Sequence, residues 1–493
     1  MKKLTSLLLV VIMVFSMFSL VACPNNSTTT TTTTKDDTPV IDGTEFEDAL
    51  LFQLADGETY DGSEVTIEFS HTMGENLRNV LDDYIKEFNK IYPNITIVHS
   101  QVGGYDDVRD TVSKQILAGT QPNIAYCYPD HVALYNLAKA AVPLDQFIEH
   151  ADLGLTQDQI DDFIDAYWDE GRCYGDGIMY TLPLSKSTEV LYYNKTYFDQ
   201  HNLTVPTTWD DLANVCRQII AIEKNNNCIP LGYDSEANWF ITMCEQIGSD
   251  YTSATGTKYL FNNAENKAFV EKFASWYYEG LLTTQEIFKA YTSGMFVQQD
   301  KTKTYSYMSI GSSAGATHQR PTKDGDSYPF EVGIAPIPQQ DPSNPKVISQ
   351  GPSLVILNNE NRQEVIASWL FVKYLTTTIE FQAEFSMVSG YIPVLESVME
   401  NETYKTEFLD KADGGDNIAA LSVKQGLEQR NAYYVSPAFT GSSVARDEVG
   451  NLLQNVFINY GTHYLEGTTA KLIDDMFKNA IAACERKYPS PKQ

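Results

Sequence analysis

The chain has 493 residues and carries 35 Lys and Arg against 65 Asp and Glu, a formal net charge of −30. That length is more than one hydrophobic core usually organises, and it suits two lobes. The acidic surplus argues against a nucleic-acid partner, whose phosphates need a basic face.

Residues 1–22 read as a lipoprotein signal peptide and are set apart from fold reasoning. Lys2 and Lys3 form its positive end, and 7–18 is an apolar run broken only by Ser16. That run is shorter than the ~20 residues that span a bilayer. Leu20-Val21-Ala22-Cys23 resembles a bacterial lipobox, in which cleavage precedes the cysteine and the thiol takes a diacylglycerol. Lipidation at Cys23 implies an anchor in the outer face of the cell membrane, stable once two acyl chains are present. Thr28 to Thr34 is an unbroken threonine run, followed by Lys35, Asp36 and Asp37. Such sequence buries nothing apolar, so 23–60 is expected to be a disordered tether. No later apolar segment is long enough to span a membrane.

The body opens on alternating residues at 65–69, the pattern of a strand. Leu77, Val80, Leu81, Tyr84, Ile85 and Phe88 recur at helical spacing over 77–91, and Pro93 ends that helix. A strand at 95–98, a helix at 105–117 capped by Gly119, and a strand at 124–128 follow. This alternation predicts an α/β fold with a parallel sheet covered by helices. Ligands bind at the carboxyl ends of such strands. The loops Ser70-His71-Thr72-Met73, Gly103-Gly104-Tyr105 and Pro129-Asp130 are therefore the first places to look. Further helices are predicted over 210–223, 264–278 and 363–375 and from about 468 onward, with strands at 305–310 and 354–357. The six cysteines beyond Cys23 show no C-x-x-C spacing, so no zinc or thioredoxin-like site is indicated. Cys216, Cys228 and Cys244 could include a disulfide or stay as buried thiols.

One hydrolase pattern is present. Gly311-Ser312-Ser313-Ala314-Gly315 fits G-x-S-x-G with Ser313 as nucleophile. Pro321 cuts off the helix that should follow, and the later histidines are His318, too near in sequence, and His463. There is no H-E-x-x-H, Walker A loop or G-x-G-x-x-G. The chain is expected not to be an enzyme and to need no cofactor.

The densest signature lies at 177–213. It includes Ser187-Thr-Glu-Val-Leu-Tyr-Tyr-Asn-Lys195 and then Pro206-Thr-Thr-Trp-Asp-Asp-Leu212. Phe371-Val-Lys-Tyr-Leu-Thr-Thr377 and Ser389-Gly-Tyr-Ile-Pro393 add a second match. These segments resemble the extracellular solute-binding proteins of family 1, receptors of carbohydrate-type ABC importers, over about 64–485. The nearest subgroup is the glycerol-3-phosphate-binding receptors, on the first two loops, Gly311-Ser312-Ser313, Gln350-Gly351-Pro352-Ser353 and Val444-Ala445-Arg446. The resemblance implies a two-lobed periplasmic-binding-protein fold with discontinuous lobes. Residues 61–180 with about 345–395 would form the N-terminal lobe, and about 181–344 with 396–488 the C-terminal lobe. The chain would cross near 180–190 and 340–350 and return near 390–400.

Carried over residue by residue, the ligand site would be Tyr105, Asp130, Ser187, Trp239, Ser312, Gly351, Tyr391 and Arg446. Arg446, the serines, Tyr391 and the Gly351 amide would hold a phosphate. Tyr105 and an acid would hold the glycerol, and Trp239 would stack on its apolar face. The subgroup's first-loop aromatic is Ser70 here, and its acid falls at Pro129, with Asp130 next. A guanidinium forks onto phosphate as lysine cannot. From the sequence alone Arg446 reads first as a surface ion pair and Trp239 as a core residue; the resemblance moves Arg446 to the site. The implied function is capture of glycerol-3-phosphate or a glycerophosphodiester by lobe closure and delivery to an ABC permease, with a neutral sugar as the alternative. Membrane contact would come only through the lipid, and the receptor would be a monomer.

Overall fold

The computed structural model describes Ile41, Phe46 and residues 49–253 and 258–490. The signal peptide and Cys23 lie outside the described residues, as does the threonine run. Among the described residues no helix is long and apolar enough to cross a membrane.

Two sheets organise the fold. The first has the order β2-β1-β3-β11-β4, with β1 Val65–His71, β2 Ile95–Gln101, β3 Ile124–Cys127, β4 Thr181–Pro183 and β11 Ser353–Ile356. β1 runs parallel to β2 and β3, and β11 is antiparallel to β3 and β4. The second sheet has the order β12-β10-β5-β8-β6-β7, with β9 also paired to β5. Its strands are β5 Ser187–Asn194, β6 Leu231–Tyr233, β7 Leu282–Thr284, β8 Met308–Ser312, β9 Val332–Pro336, β10 Val347–Gln350 and β12 Tyr433–Val435. Helices cover both, as the strand–helix alternation predicts. The first sheet's core includes Phe88, Trp369 and Phe371, the second's Trp209, Trp239 and Phe273. The helices Arg362–Thr377 and Ile379–Ser389 return to the first core. The helix Ser442–Glu466 packs on Glu236–Ile247 and Ala264–Tyr278 in the second.

The chain changes sheet between β4 and β5 and again between β10 and β11, and these crossings lie side by side. The amides of Leu184 and Ser185 donate to the Pro352 carbonyl at 3.1 and 3.3 Å. Gly351 has φ +114°, and a Cβ there would lie 2.7 Å from the Ser185 carbonyl oxygen, so glycine alone lets the two strands approach. A third segment joins them through paired backbone bonds between Lys186 and Ile392, at 2.9 and 2.6 Å. Lys186 is fully buried, and its ammonium pairs with buried Glu170 and donates to Ser353 Oγ at 3.0 Å.

Several boundaries differ from the reading above. β4 at 181–183 stays in the first sheet and β10 at 347–350 in the second, so both crossings come after the expected lobe limits of 180 and about 345. The expected tether, 23–60, overlaps packed structure. Phe52 is buried, stacks on Phe147 with ring centroids 6.0 Å apart, and lies under the Arg362 guanidinium. A large apolar side chain that finds a seat offsets its ordering cost, which the threonines before it cannot do. The strand expected at 305–310 is β8, starting at Met308; Tyr305 instead donates its hydroxyl to Glu223 at 2.6 Å.

Candidate ligand cleft

A cleft of about 840 Å³ opens between the two sheets, within the size range of small-molecule sites. One wall is aromatic. Tyr105, at the N-terminus of the helix Tyr105–Ala118, stacks on Tyr128 with centroids 4.3 Å apart and planes 17° from parallel. Its hydroxyl lies 3.2 Å from that of Tyr391. Asp130 follows in the short helix Pro129–Tyr135, and its Oδ2 accepts from Ser443 Oγ at 2.7 Å. This bond ties the first lobe to the first turn of the helix Ser442–Glu466. Nearby, the buried Arg109 guanidinium pairs with Asp110 at 2.8 Å and reaches Asp447 of that helix at 3.6 Å. Burial pushes the Asp130 carboxyl up, but the charges at His131 and Arg446 and the Ser443 hydroxyl hold it below its ordinary value.

The facing wall is a polar chain. Glu189 sits in β5 at 2% exposure, between Thr188 and Val190 in the buried stretch of the strand. Its carboxylate accepts from the Tyr233 hydroxyl at 2.6 Å and from Asn238 Nδ2 at 2.9 Å. Asn238 Nδ2 also donates to Gln350 Oε1 at 3.0 Å, and Asn238 Oδ1 accepts from Arg446 Nη2. Burial pushes the Glu189 carboxyl up to about 7, against the hydrogen bonds from Tyr233 and Asn238. Burial also opposes the Arg446 charge, but Asp130 and the neighbouring tyrosines outweigh it and raise the guanidinium's pKa. Ser187 and Ser312 line the same wall, with His318 and the exposed Tyr291 also at the cleft.

Six of the eight residues named from the sequence therefore line one cleft: Tyr105, Asp130, Ser187, Ser312, Tyr391 and Arg446. Trp239 does not. It is fully buried, with its ring 4.8 Å from Tyr233 and 4.5 Å from Phe273, because it points into the core one helical step from Asn238. Gly351 is also absent from the lining; its conformation serves the strand crossing, and Gln350 reaches the cleft instead. Ser313 is no exposed nucleophile: it is fully buried and its Oγ accepts the Thr188 N–H at 3.1 Å. Arg446 lies in the first turns of the helix Ser442–Glu466, and it is half-buried rather than a surface ion pair. Cys127, Cys173, Cys216, Cys228, Cys244 and Cys484 are free thiols.

The sequence reading missed Tyr128, Glu189 and Asn238. A lone acid inside the otherwise buried run of β5 is a legible signal, since unpaired charges are excluded from such strands. Asn238 carries none by itself.

Two lobes joined by side-by-side crossings, with a polar and aromatic cleft between them, define a solute-binding receptor. The chain belongs to the bacterial extracellular solute-binding proteins, whose family model matches residues 83–409. The sn-glycerol-3-phosphate-binding periplasmic protein UgpB of Escherichia coli K12 is 23% identical over 363 residues, which cover 71% of this chain and 79% of the relative. The Shigella flexneri protein of that name matches over the same length with the same identity. Among solved structures, UgpB of Mycobacterium tuberculosis in complex with glycerophosphocholine superposes with a TM-score of 0.68 at 15% identity, covering 86% of this chain and 99% of that one. The GacH receptor of Streptomyces glaucescens, solved unliganded and with acarbose, superposes with a TM-score of 0.66 at 16% identity, covering 87% and 99%. These relatives are binding proteins, not enzymes.

Proposed function

We propose that this receptor captures a glycerophosphodiester between its lobes and delivers it to an ABC permease. The observation that carries this reading is Arg446, the single Lys or Arg among the described cleft-lining residues, facing the Tyr105–Tyr128 stack. A phosphodiester carries one negative charge, and one guanidinium matches it through charge-assisted hydrogen bonds worth roughly 1.5–3 kcal/mol each. Ser187, Ser312 and Tyr391 supply neutral donors. Glycerol-3-phosphate, a dianion at neutral pH, would meet Asp106, Asp107, Asp130, Glu189 and Asp234 with the same single cation. The acidic, tyrosine-rich remainder suits a neutral or cationic head group, which an aromatic face attracts.

A ligand touching both walls would favour the closed arrangement, in which Asp130 and Arg109 already meet Ser443 and Asp447. The crossings at 184–186, 351–352 and about 391–393 would act as the hinge between the lobes. Cys23, lipidated, would hold the receptor at the outer face of the membrane as a monomer, on a tether that ends before Phe52.

A neutral oligosaccharide is the second reading. Asp106, Asp107, Asp130 and Asp234 offer acceptors for sugar hydroxyls, and the tyrosines are stacking platforms. A thermal-stability panel separates the two, because a ligand bound only by the folded state must raise the midpoint. Glycerophosphocholine, glycerol-3-phosphate, maltotriose and inorganic phosphate are its arms. A rise with the phosphodiester that is lost in Arg446→Ala supports the reading. A rise with maltotriose alone overturns it and leaves the receptor class standing.

A further inference from the structure

An asparagine placed between a carboxylate and a guanidinium has one allowed orientation. A guanidinium only donates hydrogen bonds, so it takes the amide oxygen and turns the amide nitrogen to the carboxyl group, whose oxygen accepts in either protonation state. Asn238 stands in that position. Its Nδ2 meets Glu189 Oε1 at 2.9 Å, and its Oδ1 meets Arg446 Nη2. Glu189 in turn has its other oxygen engaged by the Tyr233 hydroxyl at 2.6 Å, and it is 2% exposed. Both carboxylate oxygens thus already hold protein donors, so Glu189 is poorly placed to bind a solute directly. A buried acid is costly unless its partners compensate, and here those partners lead to Arg446, the single lysine or arginine among the described cleft-lining residues.

Resting on the reading of Arg446 as the ligand anchor, we propose that Glu189 and Asn238 are positioning residues that fix the Arg446 guanidinium and leave its remaining donors for the solute. The strand supplies a fixed acceptor, the acceptor sets the amide, and the amide sets the guanidinium. An alanine at 238 frees the guanidinium to move toward Asp130. An aspartate at 238 puts two carboxylates face to face and breaks the order of donors and acceptors. Pairing Asn238→Asp with Glu189→Gln restores that order: Tyr233 donates to the new amide oxygen, the new amide nitrogen donates to the new carboxylate, and Arg446 donates to that carboxylate. Net charge is then unchanged from the natural protein.

The test has two parts. Calorimetric titration with glycerophosphocholine compares the natural protein, N238D and the E189Q/N238D pair. The expected result is a loss of about tenfold or more in N238D and recovery to within about threefold in the pair, the sign of coupled neighbours. A loss below about twofold in N238D, or no recovery in the pair, overturns the proposal. Crystal structures of the unliganded natural protein and of N238A read the guanidinium position without any solute. A displaced Arg446 side chain in N238A supports the proposal, and an unmoved one overturns it. If the natural protein binds no glycerophosphocholine, the functional reading fails, and the pair of crystal structures still decides the positioning role. N238A removes a polar side chain without adding a charge, so it remains informative if N238D does not fold.

Discussion

The two cleft walls hold their side chains by different means. Tyr105 and Tyr128 are placed by ring stacking and by the ends of neighbouring elements, with one hydroxyl contact to Tyr391. Arg446 and Asn238 are placed by a chain of directional hydrogen bonds that starts at a buried acid in a central strand. Stacking tolerates sliding, because its energy varies gently with offset. A donor–acceptor chain does not, because each link has a required partner and angle. One wall can therefore adapt to different head groups, while the other fixes one point of the ligand. Substitutions on the polar wall should cost more than matched ones on the aromatic wall.

The largest effect belongs to a residue behind the polar wall. Trp239→Ala empties a packed site beside Tyr233 and Phe273 and should cost about 3–5 kcal/mol of stability. Urea unfolding measures it. If Trp239 served the cleft instead, the substitution would weaken binding while leaving unfolding little changed. Next comes Arg446→Ala, expected to cost about 3 kcal/mol of phosphodiester affinity by calorimetry, the range for losing bonds to a charged group. Arg446→Lys should recover only part of it, since an ammonium cannot hold Asn238 and fork onto the ligand together. An equal loss from Tyr105→Phe would show that the walls are not as different as their construction implies.

Much of this organisation was legible in the sequence, and the failures are instructive. The first three strands and their helices could be read because apolar spacing at 65–69, 77–91 and 105–117 is strongly periodic. Arg446, Ser187, Ser312 and Tyr391 could be placed together only through resemblance, since they lie far apart in the chain and no local pattern links them. Trp239 misled because a helix turns its neighbours by about 100°, and one step separates the core face from the cleft face. Gly351 misled because a glycine needed for ligand approach and one needed for strand approach look identical in a sequence. The expected tether, 23–60, runs past packed structure because composition averages over the stretch, whereas the burial of a single side chain, Phe52, is a local event.

A pH experiment tests the buried acid that starts the polar wall. Glu189 has its pKa raised by burial from 4.5 to about 7 in the folded protein. The groups facing it are Tyr233 and Asp234 at the end of β6, Tyr434 in β12, Arg446, and the neutral Asn238. Between those two values the folded state binds more protons than the unfolded chain, so stability falls as pH rises. The contribution is fully present below pH 4.5 and fully lost above about 7. Its size is on the order of 3 kcal/mol, at 1.36 kcal/mol per unit. Unfolding of Glu189→Gln followed from pH 5 to 8 should show a flatter profile than the natural protein. Parallel profiles would mean that Glu189 stays ionised throughout.

The smallest effect probes the contact between the walls. Ser443→Ala deletes the 2.7 Å bond that Asp130 accepts from across the cleft. One hydrogen bond to a charged group is worth about 1.5–3 kcal/mol at most, and Asp130 keeps the charges at His131 and Arg446 as compensation. The expected cost is therefore near about 1 kcal/mol, and it should fall on the closed form alone. Small-angle scattering of the unliganded protein should then show a larger radius of gyration in Ser443→Ala than in the natural chain. The two should converge once ligand is added, because a solute bridging Arg446 and Tyr105 replaces the missing tie. If the radii agree without ligand, the Asp130–Ser443 bond does not hold the lobes together. The closing force must then come from Arg109 and Asp447, which Asp447→Asn would reveal in the same measurement.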